Sequence, residues 1–416
     1  MTTQIRTTHV GSLPRTPRLL GANRARMVHA LDPQALAKVL TEEVSAVVER
    51  QAAAGIDVVN DGEYGHPATQ AIDYGSWWTY TFERIAGIEL ISPSSPAIRP
   101  RAGRRVRIHL ADNGAHRDWS RFPTAYTDPA SGLDSIGAAP SLVPAMTGPL
   151  EYTGQDQVRR DVAALTHALD SAAKPYADGF LAAISPGSLA RIANACYADD
   201  EAQLAAAAEV LRTEYRTITD AGLTVQIDAP DLAESWDQIN PEPTLADYRQ
   251  YTGLRVEALN YALEGIDPAQ VRLHVCWGSW RGPHTTDLDF REVVDLTLAV
   301  NAAGLSFEAA NARHAHEWRI WEELKLPEGK HLVPGVVTHA TSVVEHPELV
   351  ADRIEQFARL VGPERVLAST DCGLGGRVHA EIAWAKLDSL AQGAKFAATR
   401  LAHVRPADTR LSAAPR

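Results

Sequence analysis

One recurrence constrains the fold of this 416-residue chain more than any other feature: a short apolar, β-branched run followed by a long stretch with apolar residues at i, i+3 and i+4. The runs fall at residues 56–60 (IDVVN), 142–147 (LVPAMT), 180–185 (FLAAIS), 223–228 (LTVQID), 271–276 (VRLHVC), 305–308 (LSFE), 332–337 (LVPGVV) and 366–370 (VLAST). Helical patterns lie at 33–54, 156–173, 200–221, 245–264, 291–303, 317–326, 345–361 and 379–400, with start signals such as Asp32-Pro33 and stop signals such as Gly55. Eight buried-type strands alternating with eight helices predict an α/β protein, a closed (β/α)8 TIM barrel. An open doubly wound sheet would want a Gly-rich turn after its first strand, and DGEYGH is not one.

Residues 62–141 exceed any ordinary βα loop, so they are expected to form a large insertion at the barrel mouth after the first barrel strand. A hairpin of 82–91 against 104–110 is expected within it, with the arginines of its second arm (Arg101, Arg104, Arg105, Arg107) on a solvated face. The polar segment THVGSLPR should cap the barrel. Residues 1–405 then make one catalytic barrel domain, and 406–416 a disordered tail.

With 40 Lys+Arg against 52 Asp+Glu the net charge is −12, and no basic run stands out. Nucleic acid and anionic membrane surfaces are therefore poor partners. No apolar stretch reaches the roughly 18 residues of a bilayer span, and the N-terminus lacks a signal-peptide core, so a cytoplasmic protein is expected. Three cysteines are too few for a disulfide framework, and Cys196, in a helix-like stretch, is expected in the core.

The chemistry gathers at strand ends. His274 and Cys276 close the fifth run with HxC spacing, which puts both side chains on one face. Glu308 ends the sixth run and Cys372 follows the eighth. All four fall where barrels of this kind build active sites, and together they make a tetrahedral N/O/S set suited to Zn²⁺, at roughly 2.0–2.3 Å per bond. The bland alternative is a satisfied core histidine beside a buried cysteine. Glu63, Asp228 and His339 sit at the same rim. The two carboxylates could clamp an ammonium group or merely bind a loop, and the histidine could pass a proton or hold its own turn.

From TTHVGSLPR at residues 7–15 to DCGLGGR at 371–377, the signposts in order are HVGS, NDGEYGH, MTGP, QIDAP, HVC, FEAAN, PGVVTH and STDCGLGG. In them the chain resembles the catalytic C-terminal barrel of cobalamin-independent methionine synthase and its single-barrel relatives, which include the epoxyalkane:coenzyme M transferases. The resemblance implies that His274, Cys276, Glu308 and Cys372 bind zinc and that Gly11 and Ser12 lie near a substrate carboxylate. It also implies that Glu63 and Asp228 face an amino group and that His339 assists proton transfer. Two departures stand out: Tyr152 is the aromatic ring nearest TGPLEYTG, where the long synthases stack a tryptophan on a pterin, and Ala229 follows QID in place of an acidic residue. The cluster DYGSWWTY adds Trp77 and Trp78 as an apolar wall for an alkyl donor, or as packing of the insertion. Trp277 and Trp280 carry the same two readings.

The expected activity is zinc-dependent alkylation of a small thiol with homocysteine as acceptor, of the methionine-synthase type. A coenzyme M-like thiol opening an epoxide is the second reading, for which Arg15 or an arginine of the insertion would have to reach the sulfonate. A non-catalytic zinc-stabilised barrel is the third.

Overall fold

The computed structural model describes residues 4–69, 76–98, 105–106, 108–110, 115–133, 142–172 and 178–403, apart from the side chains of Ser76 and Trp77. Eleven strands occur among them: β1 Arg6–Thr7, β2 Val59–Asn60, β3 Ile85–Ile91, β4 Val143–Tyr152, β5 Gly179–Ile184, β6 Ala193–Asn194, β7 Thr224–Asp228, β8 Val271–Val275, β9 Gly304–Glu308, β10 His331–Val337 and β11 Leu367–Thr370. Eight of these form one parallel sheet in the order β1-β11-β10-β9-β8-β7-β5-β2. Thr7 joins its ends, because Thr7 O accepts from the Asp57 and Val58 amides at 3.1 and 3.0 Å, while the Thr8 amide donates to Ala368 O on the other side at 2.8 Å. The expected barrel is present. Its central strands read as continuous apolar runs because both faces are covered: every residue of β5, β8 and β9 is buried.

Two expectations need correcting. Residues 142–147 do form a strand, but β4 belongs to a separate three-stranded sheet, β3-β4-β6, and the barrel position is filled by β1, ahead of every run counted above. The excursion still leaves from the strand at 59–60, which is thereby second in the barrel. The hairpin within it pairs β3 with β4, from Ile85 opposite Tyr152 to Ile91 opposite Val143, and 82–84 end the helix Ser76–Arg84. Residues 105–106 and 108–110 are not strand. A run alternating arginines offers little to bury, and Arg105 instead pairs with Glu257 at 2.7 and 2.8 Å. Arg101, Arg104, Arg107 and the tail 406–416 lie outside the described residues.

Helix Pro33–Ala54 follows its signals closely. The Asp32 side chain accepts from the Gln34 and Ala35 amides, and Gly55 turns the chain at φ 85°. The excursion is fastened to the barrel by Arg84, which donates to Asp161 of helix Gln155–Ser171 and to Glu214 of helix Asp200–Thr219, all three buried. Among the described residues no helix is long and apolar enough to cross a membrane.

Candidate active site

The rim of the barrel brings three of the four expected ligands together. A ring nitrogen of His274, at the end of β8, and the sulfurs of Cys276 and Cys372 all lie within 4.8 Å of one another. Ser306 Oγ, one strand over on β9, holds His274 Nδ1 at 3.0 Å, leaving the buried Nε2 with no hydrogen-bond partner. An orphaned imidazole nitrogen facing two sulfurs is costly in a protein interior unless a metal takes it, so the donor set fits zinc. Contact with the Cys276 thiol holds Cys372 well below the usual thiol range, with burial opposing and His274 adding to the effect. The same contact, reinforced by burial, pushes Cys276 up. Burial works against a charge on His274, but Cys372, Asp228 and Glu308 together raise it above the usual range. Ser279 Oγ lies 2.8 Å from Cys372 Sγ.

Glu308 stands slightly apart. Its Oε1 accepts the Trp277 amide at 3.1 Å and its Oε2 the Asn311 side chain at 2.8 Å, and it groups within 4.8 Å with His339 and Asp371. Asp371 is wholly buried. Its Oδ1 accepts from the Ala309 and Ala310 amides while its Oδ2 has no partner, and burial beside Glu308 raises it to about 8. His339, buried with Nδ1 unpartnered, is held below the usual imidazole range by burial.

A cavity of about 200 Å³ opens onto His274, Cys276 and Cys372 and is also lined by Ser12, Glu63 and Asp228. Burial pushes Asp228 up to about 7; His274 opposes this and the like charge of Glu63 adds to it. Two carboxylates facing one small cavity favour a cation between them. Gly11 does not line the cavity but shapes it: at φ 144° its missing Cβ leaves room for Glu63 Oε1, which a side chain would strike. Gly11→Ala is expected to cost about 1–3 kcal/mol through strain and crowding, read as a lower melting temperature together with weaker acceptor binding.

Of the aromatic residues, Trp78 lines the cavity, whereas the Trp77 side chain is outside the described residues. Trp277 is packing: its indole N–H donates to Leu288 O at 2.7 Å and its ring stacks on His314 at 3.9 Å. Trp280 stacks on His284 and packs against His116 of the excursion. Tyr152 is buried at the end of β4, beside Arg84. Cys196 is exposed and not core, because the stretch around it is a loop after β6 rather than a helix. Sequence reasoning passed over Arg191, Glu234 and Ser279, and quoted Arg377 without a role, yet all four line the cavity. Their one signal was position, each falling a few residues beyond the C-terminal end of a barrel strand.

With this geometry in place the comparisons are decisive on family. The catalytic domain of the cobalamin-independent synthases matches residues 130–395. The chain belongs to that family. A 2-hydroxypropyl-CoM lyase of Xanthobacter autotrophicus is 28% identical over 178 residues, 36% of this chain and 47% of the lyase. A methionine synthase of Thermococcus kodakarensis is 27% identical over 196 residues, 47% of this chain and 50% of the synthase. This chain thus matches about half the length of each. A B12-independent methionine synthase structure from Shewanella sp. W3-18-1, in complex with selenomethionine, superposes with a TM-score of 0.66 at 18% identity, covering 96% of this chain and all of that one. At that identity the likeness speaks for the fold, and the family membership places the chain among methionine-synthase-like transferases.

Proposed function

We propose that this protein is a zinc-dependent transferase that alkylates a small thiol, of the homocysteine S-methyltransferase type. The observation that carries the reading is the His274, Cys276 and Cys372 cluster opening onto the cavity that Ser12, Glu63 and Asp228 also line. Those three residues, with Glu308 as fourth donor, would hold zinc, which would supply a Lewis acid to lower the pKa of a thiol brought to it. Ser306 fixes the His274 ring, as partners behind metal ligands commonly do. Glu63 and Asp228 receive the acceptor's ammonium group, and the 10–12 loop receives its acid end. Trp78 and Pro230 give the cavity an apolar wall for the alkyl group. His339, grouped with Glu308 and Asp371 and with Nδ1 unpartnered, takes up the proton that the thiol gives up and passes it to the leaving group. A reducing cytoplasm would keep both cysteines available.

The second reading, a coenzyme M-type thiol opening an epoxide, draws support from the lyase relative and from the guanidinium groups of Arg191 and Arg377 at the cavity. The two separate in one experiment. Zinc-loaded protein is incubated with homocysteine or coenzyme M against methyl-folate and small epoxides, and thioethers are read by mass. Alkylated homocysteine supports the first reading, alkylated coenzyme M the second, and no thioether with any pair contradicts both.

A further inference from the structure

We infer that Arg377 reads the acid group of the acceptor thiol and so restricts this protein to thiols that carry a carboxylate or a sulfonate. This rests on the thiol-alkylation reading above and adds a specificity-determining residue to it. Arg377 ends the loop that begins at Asp371 and Cys372. That loop is folded onto the 10–12 segment: the Leu374 and Gly375 amides both donate to Ser12 O, at 2.9 and 2.8 Å. Gly373 permits the approach, since a Cβ there would lie 2.8 Å from Ser12 Cβ. The loop thus delivers Arg377 into the same cavity as Ser12 and Cys372.

Arg191 lines the same cavity. Arg191 is engaged by Glu234 at 2.8 Å and by Gln238, and Arg15 donates to Ser12 Oγ at 2.8 Å and Glu63 O at 2.9 Å. A planar guanidinium matches a carboxylate or sulfonate through paired N–H donors. Carboxylates for an ammonium group and a guanidinium for an acid group, in one cavity, suit a zwitterionic amino thiol.

The test uses the full chain substituted with cobalt and follows thiol-dependent changes in its absorption. Homocysteine is compared with aminopropanethiol, its decarboxylated counterpart, and coenzyme M with ethanethiol. The unmodified protein should prefer the acid thiol. Arg377→Gln should shrink that preference by about 10–100-fold while binding the acid-free thiol as before, which also reports an intact fold. Arg377→Lys should restore part of it. The pair that responds identifies the acid as carboxylate or sulfonate. An unchanged preference in Arg377→Gln, or an equal loss for both members of a pair, overturns the inference with the thiol reading intact. If no thiol alters the spectrum of the unmodified protein, the thiol reading falls and the inference with it.

Discussion

Replacing Cys372 by alanine is expected to strip the metal from the protein and to lower thiol alkylation by at least about 10³-fold, the several kcal/mol that a Lewis acid contributes. Cys372 supplies one of two sulfurs in a cluster that leaves His274 Nε2 without any other partner. Its loss leaves two close donors and Glu308, whose oxygens are already engaged by Trp277 and Asn311. Metal content after dialysis and kcat/KM for the acceptor are the readouts. Cys196→Ala is the control: that thiol is exposed, outside the cavity, and should leave both unchanged. Full metal retention in Cys372→Ala would mean that the cluster is not the zinc site.

Glu63→Gln and Asp228→Asn are each expected to weaken acceptor binding by about 10–100-fold, the worth of a hydrogen bond to a charged group, without lowering metal content. Both carboxylates line the cavity, and both replacements keep the shape of the side chain. The effect should appear in the KM for the acceptor rather than the donor. The double replacement should cost less than the product of the single losses, because both groups face one ammonium ion and are not independent. Unchanged acceptor KM in both single variants would remove the amino group from this part of the cavity.

The cluster of His274, Cys276 and Cys372 was legible because a parallel barrel sends the C-terminal ends of all its strands to one rim. A reader who places His274, Cys276 and Cys372 at strand ends has already placed them together. The strand inventory was harder. Arg6–Thr7 is two residues long, with no periodicity to read, and its place in the barrel depends on Thr7 O meeting 57 and 58, a tertiary contact. Residues 142–147 have the composition of a barrel strand, and nothing local shows that they pair with Ile85–Ile91 instead. Glu308 and His339 were found at the rim, but the rim has depth. Their grouping with Asp371 depends on the amides of Ala309 and Ala310 turning toward that carboxylate. Arg377 stood in a quoted motif and still gave no hint of its direction, which is set by the two hydrogen bonds onto Ser12 O.

The central claim, that this site takes a thiol onto a metal held by its own cysteines, is tested most directly by X-ray absorption at the zinc edge of the loaded protein, with and without homocysteine. The account predicts a sulfur shell that grows from the two protein sulfurs, Cys276 and Cys372, to include the acceptor's own. A shell that stays at the protein's two sulfurs in saturating homocysteine and in saturating coenzyme M would contradict it.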